Sequence, residues 1–365
     1  MLKLPFLPRN ITLHLTENCN LRCRMCYYWG ETGVYSNAQT KRKPQVLDLD
    51  IIKDLIRDLA IIKPNFSLFG GEPLLYPYFE ELVDEIKLYD CFVDTPTNGT
   101  LLSDNAELLV EKKFDLVRVS IDGPREINDR QRVNGSYDKA VNGINELLEL
   151  KQKDKAKKPF IDIIYTITPE NYLVIEDFFM KDIDISKINR ITIQMQNYLT
   201  EEMGEKYAEF LSSEFGIESF TYWKSMVRFP SYFSKIDINE LSRQVNKVKS
   251  YYLSFNKNVM LLPPTFSSNN IAAYLNADWN NMTDLYERCF VPWVSADIVA
   301  NGDVATCHIF YDLVLGNLHE NNIAEIWNGD KYNKFRGYMK SNKFMPICPG
   351  CCILYLSGKK LRSNR

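Results

Sequence analysis

The chain has 365 residues, 45% of them hydrophobic and 25% charged, with a formal net charge of -3. That length suits one large α/β domain with a smaller companion, and the charge gives no reason to expect a nucleic-acid partner. No apolar run is long enough to cross a bilayer and the N-terminus has no signal-peptide h-region, so nine cysteines point to a reducing cytoplasm and to metal rather than disulfides.

In chain order, Ile11–Thr16 alternates as a strand and runs straight into three cysteines, Cys19, Cys23 and Cys26. Asp48–Ile61 has helical periodicity, and Phe66–Phe69 is a short strand ending at Gly70-Gly71. Tyr76–Leu88 is expected to be helical, Phe92–Thr97 a strand, Asp104–Lys113 a helix and Leu116–Ile121 a strand ending at Asp122-Gly123. A helix over Tyr137–Leu150, a strand over Phe160–Ile167, a helix over Asn171–Met180 and a strand over Arg190–Gln196 complete six strands alternating with helices. That alternation is the signature of a parallel α/β sheet, whose chemistry gathers at the carboxyl ends of the strands. Beyond Thr200 the pattern changes: Glu201–Ser213 is helical, Val259–Phe266 is a strand stopped by proline, and Ser295–Val299 with Val304–His308 reads as a hairpin. A helix over Ile323–Met339 precedes the last cysteines, Cys348, Cys351 and Cys352. Cys91, at the start of a strand, reads as a buried core thiol.

Three thiolates in eight residues are one short of a closed zinc or iron–sulfur site, which leaves either an open position on iron or a zinc knuckle with a distant fourth ligand. Only three histidines, His14, His308 and His319, argue against histidine acid–base chemistry or a histidine-rich metal site.

The segment Cys19-Asn-Leu-Arg-Cys23-Arg-Met25-Cys26 resembles the cluster motif of radical S-adenosylmethionine (SAM) enzymes. The resemblance implies a [4Fe-4S] cluster on Cys19, Cys23 and Cys26, with one open iron that binds SAM. Reductive cleavage of SAM then releases a 5′-deoxyadenosyl radical that abstracts hydrogen from an unactivated carbon. Gly70-Gly71-Glu72-Pro73 is similar to the turn that holds the SAM amino group, where glycine permits close backbone approach and a carboxylate suits an ammonium. Ser120 and Asp122 match the segment that contacts the SAM ribose or carboxylate. Arg132 either pairs with the SAM carboxylate or caps a helix, Asn98 is either a SAM contact or a turn residue, and Met25, Tyr27 or Tyr28 flanks the adenine. The family's usual histidine is Asn128 here, which puts a role for that position in question.

The spacing of Cys289, Gly302 and Cys307 resembles the SPASM and twitch extensions of these enzymes. With Cys348 and Cys351 it makes four ligands for a second, auxiliary [4Fe-4S] cluster, or alternatively a structural zinc ribbon. No cysteine follows Cys352, which favours one auxiliary cluster and the short twitch form. Cys352 itself could replace Cys351, be a spare or donate hydrogen. The implied architecture is a partial (β/α)6 TIM-like barrel over residues 1–200, a connecting, substrate-covering region over 201–284, and a small cysteine-rich α+β twitch/SPASM-like domain over 285–365. Tyr165, Gln194, Gln196, Tyr198 and Cys352 are the candidates for the substrate pocket. The implied activity is oxidative modification of a ribosomally made peptide, or dehydrogenation of a sugar- or cyclitol-like alcohol. A non-catalytic iron–sulfur or zinc protein is the distant alternative. A flavodoxin- or ferredoxin-type donor is expected to supply electrons, with no nucleic-acid or membrane partner.

Overall fold

The computed structural model describes residues 6–35, 43–220 and 222–360. Six parallel strands lie side by side in chain order: β1 (Asn10–Thr16), β2 (Asn65–Gly70), β3 (Phe92–Thr97), β4 (Leu116–Ser120), β5 (Phe160–Ile167) and β6 (Arg190–Met195). A seventh parallel strand, β7 (Asn258–Leu262), adds to β6. Three further strands extend the opposite edge. After β8 (Tyr286–Cys289), β9 (Ser295–Ile298) pairs in parallel with β1, followed by β10 (Asp303–Ala305) and β11 (Val314–Asn317), both antiparallel. The cysteine-bearing C-terminal segment and the barrel therefore share one ten-stranded sheet. Among the described residues, only β8 and β12 (Gly358–Lys360) stand apart, as an antiparallel pair.

The helices form because each carries an apolar face at three- and four-residue spacing. In α1 (Leu49–Leu59), Ile52, Leu55, Ile56 and Leu59 are buried, and the Asp48 side chain caps the first turn by accepting from the Asp50 amide at 2.8 Å. α2 (Phe79–Leu88), α3 (Leu102–Glu111), α4 (Arg125–Gln131) and α5 (Ser136–Lys153) continue the outer layer. Two expected helices differ. Asn171 does not open a helix, because its side chain staples the loop: it donates to Thr166 O and Asp122 O and accepts from Thr168 N. Only Ile175–Asp177 is α-helical there, followed by a π turn over Phe178–Asp182. The expected helix over Ile323–Met339 is two helices, because Gly329 takes an extended backbone (φ -72, ψ 168) between Ile323–Asn328 and Asp330–Asn342.

Strand alternation sorts the two faces of the sheet. Ile161, Ile163, Tyr165 and Ile167 on β5 face the helices, all fully buried or nearly so. The opposite, inner face is polar. At its lower level Ser67 and Arg118 bond Asp94, and Arg190 bonds Asp162 at 2.7 Å, two polar clusters that together span β2 to β6. These side chains satisfy one another inside the barrel, as buried charge requires. The cavity lies above them, at the carboxyl ends of the strands.

Candidate functional site

β1 carries the chain to the mouth of the barrel and releases it into the loop of Cys19, Cys23 and Cys26. The loop is held by backbone bonds: Cys26 N to Cys23 O, Gly30 N to Cys26 O and Arg24 N to Gln131 O. Arg22 lies over the Trp29 ring at 4.1 Å, and Trp29 Nε1 donates to Glu17 O. Backbone amides point at the sulfurs: Leu21 N lies 3.4 Å from Cys19 Sγ, and Tyr28 N and Trp29 N each lie 3.4 Å from Cys26 Sγ. Burial pushes the Cys19 thiol up to about 11 and the Cys23 thiol up to about 12. Such thiols bind metal only by surrendering a proton to a strong local positive charge, which iron supplies.

A cavity of about 230 Å³ opens between this loop and the strand ends. Its walls include all three cysteines, Met25, Tyr27, Gly70, Gly71, Glu72, Pro73, Asn98, Ser120 and Arg132. Gly71 sits against the loop so closely that a Cβ there would lie 2.1 Å from Asn18 O. Glu72 is fully buried; it accepts from Thr97 Oγ1 at 2.7 Å, Asn98 N at 2.8 Å and Leu74 N at 3.2 Å. Burial raises its pKa, and these bonds offset only part of the effect. Two of the donors use Oε1, so Oε2 keeps acceptor capacity toward a cation in the cavity. Asn98 Nδ2 donates to Asn20 Oδ1, which fixes the amide beside Cys19.

Three sequence expectations are corrected. Asp122 does not reach the cavity: it is fully buried behind Arg132, accepting from Arg132 Nε at 2.7 Å and Thr166 N at 2.8 Å. It holds the guanidinium that lines the wall, with Nη1 3.9 Å from Cys23 Sγ. Arg132 also caps the helix Arg125–Gln131, but through its backbone, with N donating to Asn128 O at 2.8 Å, while its buried side chain lines the cavity. Tyr165 points the other way, into Phe178 and Phe179, with its hydroxyl on Asn171 O, because it shares strand parity with Ile163 and Ile167. Tyr198 lies beyond the end of β6, packed on Phe233, Tyr274 and Trp279 with its hydroxyl on Tyr274 O.

Gln194 and Gln196 do line the cavity, joined by Phe69, Thr166 and Asn197, which the sequence did not single out. Thr166 alternates with Tyr165, so strand parity was the missed signal. Asn128, at the position of the departed histidine, accepts from Asp122 N at 3.0 Å and donates to Ser136 Oγ at 3.0 Å. It braces the Asp122 turn from behind.

Cys289, Cys307, Cys348 and Cys351 line one apolar pocket with Val291, Phe310, Phe335 and Met339. Cys352 is not on its wall; its Sγ receives Asn197 Nδ2 at 3.1 Å, behind the main cavity. Burial pushes the Cys307 thiol up to about 12. Burial, then Cys26, Cys352 and Cys351, raises the Tyr27 hydroxyl, a ring standing between the two cysteine sets. Neither set gathers three ligand atoms within 4.8 Å, whereas one tetrahedral zinc needs sulfurs about 3.8 Å apart. Both sets thus fit a larger multi-iron cluster better than a single zinc ion. Cys91 is buried, as expected of a core thiol.

The family model of the radical SAM superfamily matches residues 13–180, and that of the SPASM iron–sulfur cluster-binding domain matches residues 289–352. The chain carries a radical SAM domain followed by a SPASM domain. These domains bring SAM and [4Fe-4S] clusters as cofactors. Among its radical SAM relatives, a serine-type anaerobic sulfatase-maturating enzyme of Bacteroides thetaiotaomicron is 24% identical, over 95% of this chain and 80% of that protein. A tungsten-containing aldehyde ferredoxin oxidoreductase cofactor-modifying protein of Pyrococcus furiosus is 23% identical, over 93% and 86%. A mycofactocin maturase of Mycobacterium tuberculosis is 33% identical over 38% of this chain and 34% of its own length. In fold, the radical SAM chain superposes on Streptococcus suis SuiB bound to S-adenosylmethionine with a TM-score of 0.64 at 16% identity, covering 91% of this chain and 68% of SuiB. It superposes on anSMEcpe with bound AdoMet with a TM-score of 0.59 at 17% identity, covering 96% and 86%. No helix among the described residues is long and apolar enough to cross a membrane.

Proposed function

We propose that this enzyme oxidatively modifies a ribosomally made peptide. The observation that carries the reading is the amide wall of the cavity. Gln196 Oε1 and Asn197 Oδ1 are buried with no hydrogen-bond partner in the protein. Both side chains line the same cavity as the cysteine loop. Unpaired buried amide oxygens are costly unless a ligand supplies donors, and backbone N–H groups of an extended peptide are such donors. The two charged residues of the cavity wall, Glu72 and Arg132, stand on the SAM side, so the substrate wall suits a neutral polar segment. The names of the relatives, sulfatase-maturating enzymes and a mycofactocin maturase, agree with this reading.

Cys19, Cys23 and Cys26 would hold the cluster that supplies the electron for SAM cleavage, and the SPASM pocket of Cys289, Cys307, Cys348 and Cys351 would hold the auxiliary one. Glu72 would receive the SAM ammonium, with Gly71 letting its backbone approach. Arg132, aimed by Asp122, would offer Nη1 to the SAM carboxylate, and Tyr27 and Met25 would flank the adenine. Asn98 and Ser120 complete the cofactor wall, while Gln194, Gln196 and Asn197 orient the substrate. The second cluster favours a net two-electron oxidation, with a flavodoxin- or ferredoxin-type donor supplying the first electron in a reducing compartment. Dehydrogenation of a small polyol is the second reading, because the same amide oxygens accept hydroxyl protons.

The test is anaerobic incubation of the reconstituted enzyme with SAM, a strong reductant and short peptides encoded beside its gene, in parallel with sugar and cyclitol alcohols. Mass spectrometry should show a peptide losing a pair of hydrogens, matched by 5′-deoxyadenosine. Loss from an alcohol instead would select the second reading, and no 5′-deoxyadenosine under competent reduction would overturn both.

A further inference from the structure

Two of the three histidines meet at one buried carboxylate between the two cysteine sets. His14 stands on β1, Asp297 on β9 and His308 just past β10. His308 Nδ1 lies 3.1 Å from Asp297 Oδ1, and His14 Nε2 lies 3.9 Å from the same oxygen. All three ligand atoms lie within 4.8 Å of one another; among the described residues no other trio of His, Cys, Asp or Glu is gathered so closely. The Tyr311 hydroxyl contacts His14 Nε2 and the His308 carbonyl, which brings a fourth oxygen to the same point.

Asp297 is 2% exposed, and its ion-pair partners among the described residues are these two imidazoles, with no lysine or arginine. A buried carboxylate facing two imidazole nitrogens is a ready ligand set. A tetrahedral site with bonds of about 2.0 Å needs ligand atoms about 3.3 Å apart, so shifts well under about 1 Å close it.

We propose that His14, Asp297 and His308, with the Tyr311 oxygen as a fourth ligand, bind a divalent transition-metal ion, zinc being the favoured occupant. The donor set of two imidazoles and a carboxylate suits zinc or ferrous iron and excludes magnesium and calcium, which want oxygen alone. The site uses none of the cluster cysteines, although His308 follows Cys307 in the chain, and it is independent of the substrate assigned above. Its place gives it a structural consequence. β9 runs in register with β1 from Asn10↔Ser295 to Leu13↔Ile298, so the ion ties the C-terminal strands to the first barrel strand. The Phe69 ring packs on both imidazoles, with centroids at 5.0 Å and 4.5 Å, and also lines the SAM cavity. His308 lines the auxiliary pocket. The ion therefore fixes the wall that separates the two cavities.

The test uses the holoenzyme with both clusters assembled, dialysed anaerobically against zinc and desalted. Zinc and iron are counted by plasma mass spectrometry, and the zinc shell is read by X-ray absorption at the zinc edge. The expected result is about one zinc per chain, with a nitrogen and oxygen shell near 2.0–2.1 Å and imidazole scattering beyond it. In His14→Gln and in Asp297→Asn zinc should fall about tenfold while iron is unchanged. Wild-type protein that retains no zinc, or zinc with a sulfur shell near 2.3 Å, overturns the assignment. So does zinc undiminished in a folded variant; if one variant is insoluble the other carries the comparison, and the wild-type shell decides on its own.

Discussion

Arg132 meets Asp122 through both Nε and Nη2 at 2.7 Å, and its remaining Nη1 stands 3.9 Å from Cys23 Sγ. One buried carboxylate thus fixes the direction of the guanidinium that faces the cluster loop. In Asp122→Ala the arginine is left as an unpaired charge in a dry site, a loss of about 3–5 kcal/mol. Arg132→Lys should not restore SAM binding, because a point cation cannot span both partners. Urea unfolding and SAM affinity measure the two effects; wild-type stability in Asp122→Ala would show that the pair has no structural role.

Gly71 marks the closest approach of the β2 turn to the cysteine loop. Gly71→Ala puts a Cβ 2.1 Å from Asn18 O and must displace the Glu72 N bond to that same carbonyl. We expect 5′-deoxyadenosine formation to fall by at least about tenfold, equivalent to about 1.4 kcal/mol of transition-state stabilisation. A methyl group at Gly337, inside the helix Asp330–Asn342, would meet nothing within 4 Å, so Gly337→Ala should stabilise by about 0.5–1 kcal/mol. Equal losses in both variants would remove the steric argument.

Glu72→Gln keeps the shape of the side chain but turns an amide N–H2 toward a donor, Asn98 N or Thr97 Oγ1. It also removes the charge opposite the SAM ammonium. The KM for SAM should rise about 10- to 100-fold, the range of a charge-assisted bond. An unchanged KM would exclude the ammonium contact.

Cys348→Ala removes one wall of the auxiliary pocket and leaves the N-terminal loop untouched. Iron per chain should fall by about half. SAM cleavage should persist while substrate oxidation stops. Full loss of SAM cleavage with half the iron retained would contradict the division of labour between the two sets.

Asp115 lies at the foot of the barrel, its side chain 3% exposed, bonded to Lys87 at 2.6 Å, to Lys158 and to Val93 N. Burial raises its pKa, but Lys158, Lys87 and the amide together bring it below the ordinary carboxylate value. A depressed folded pKa contributes stability above the unfolded value of about 3.9 and loses it as pH falls through the folded value. Asp115→Asn should cost about 1–3 kcal/mol at neutral pH, and the gap to wild type should narrow below about pH 4. A gap independent of pH would assign the cost to packing.

Sequence alone determined what is local. Cysteine spacing around Cys19–Cys26, the strand ends at Gly70–Pro73 and the alternation of strands and helices follow from residues close in the chain. Their physics is backbone freedom, side-chain parity and ligand count. Even Tyr165 was readable in this way, since it alternates with Ile163 and Ile167 and so belongs to the helix face. Whatever depends on distant partners was decided by the packed fold. It turned Asp122 away from the cavity onto Arg132, folded Tyr198 into Tyr274 and Trp279, and separated Cys352 from its neighbour Cys351. It also joined β9 to β1, which brings His14 to Asp297 and His308. Sheet pairing between chain ends costs loop entropy and is repaid by burial summed over the whole core, so no short stretch of sequence records it.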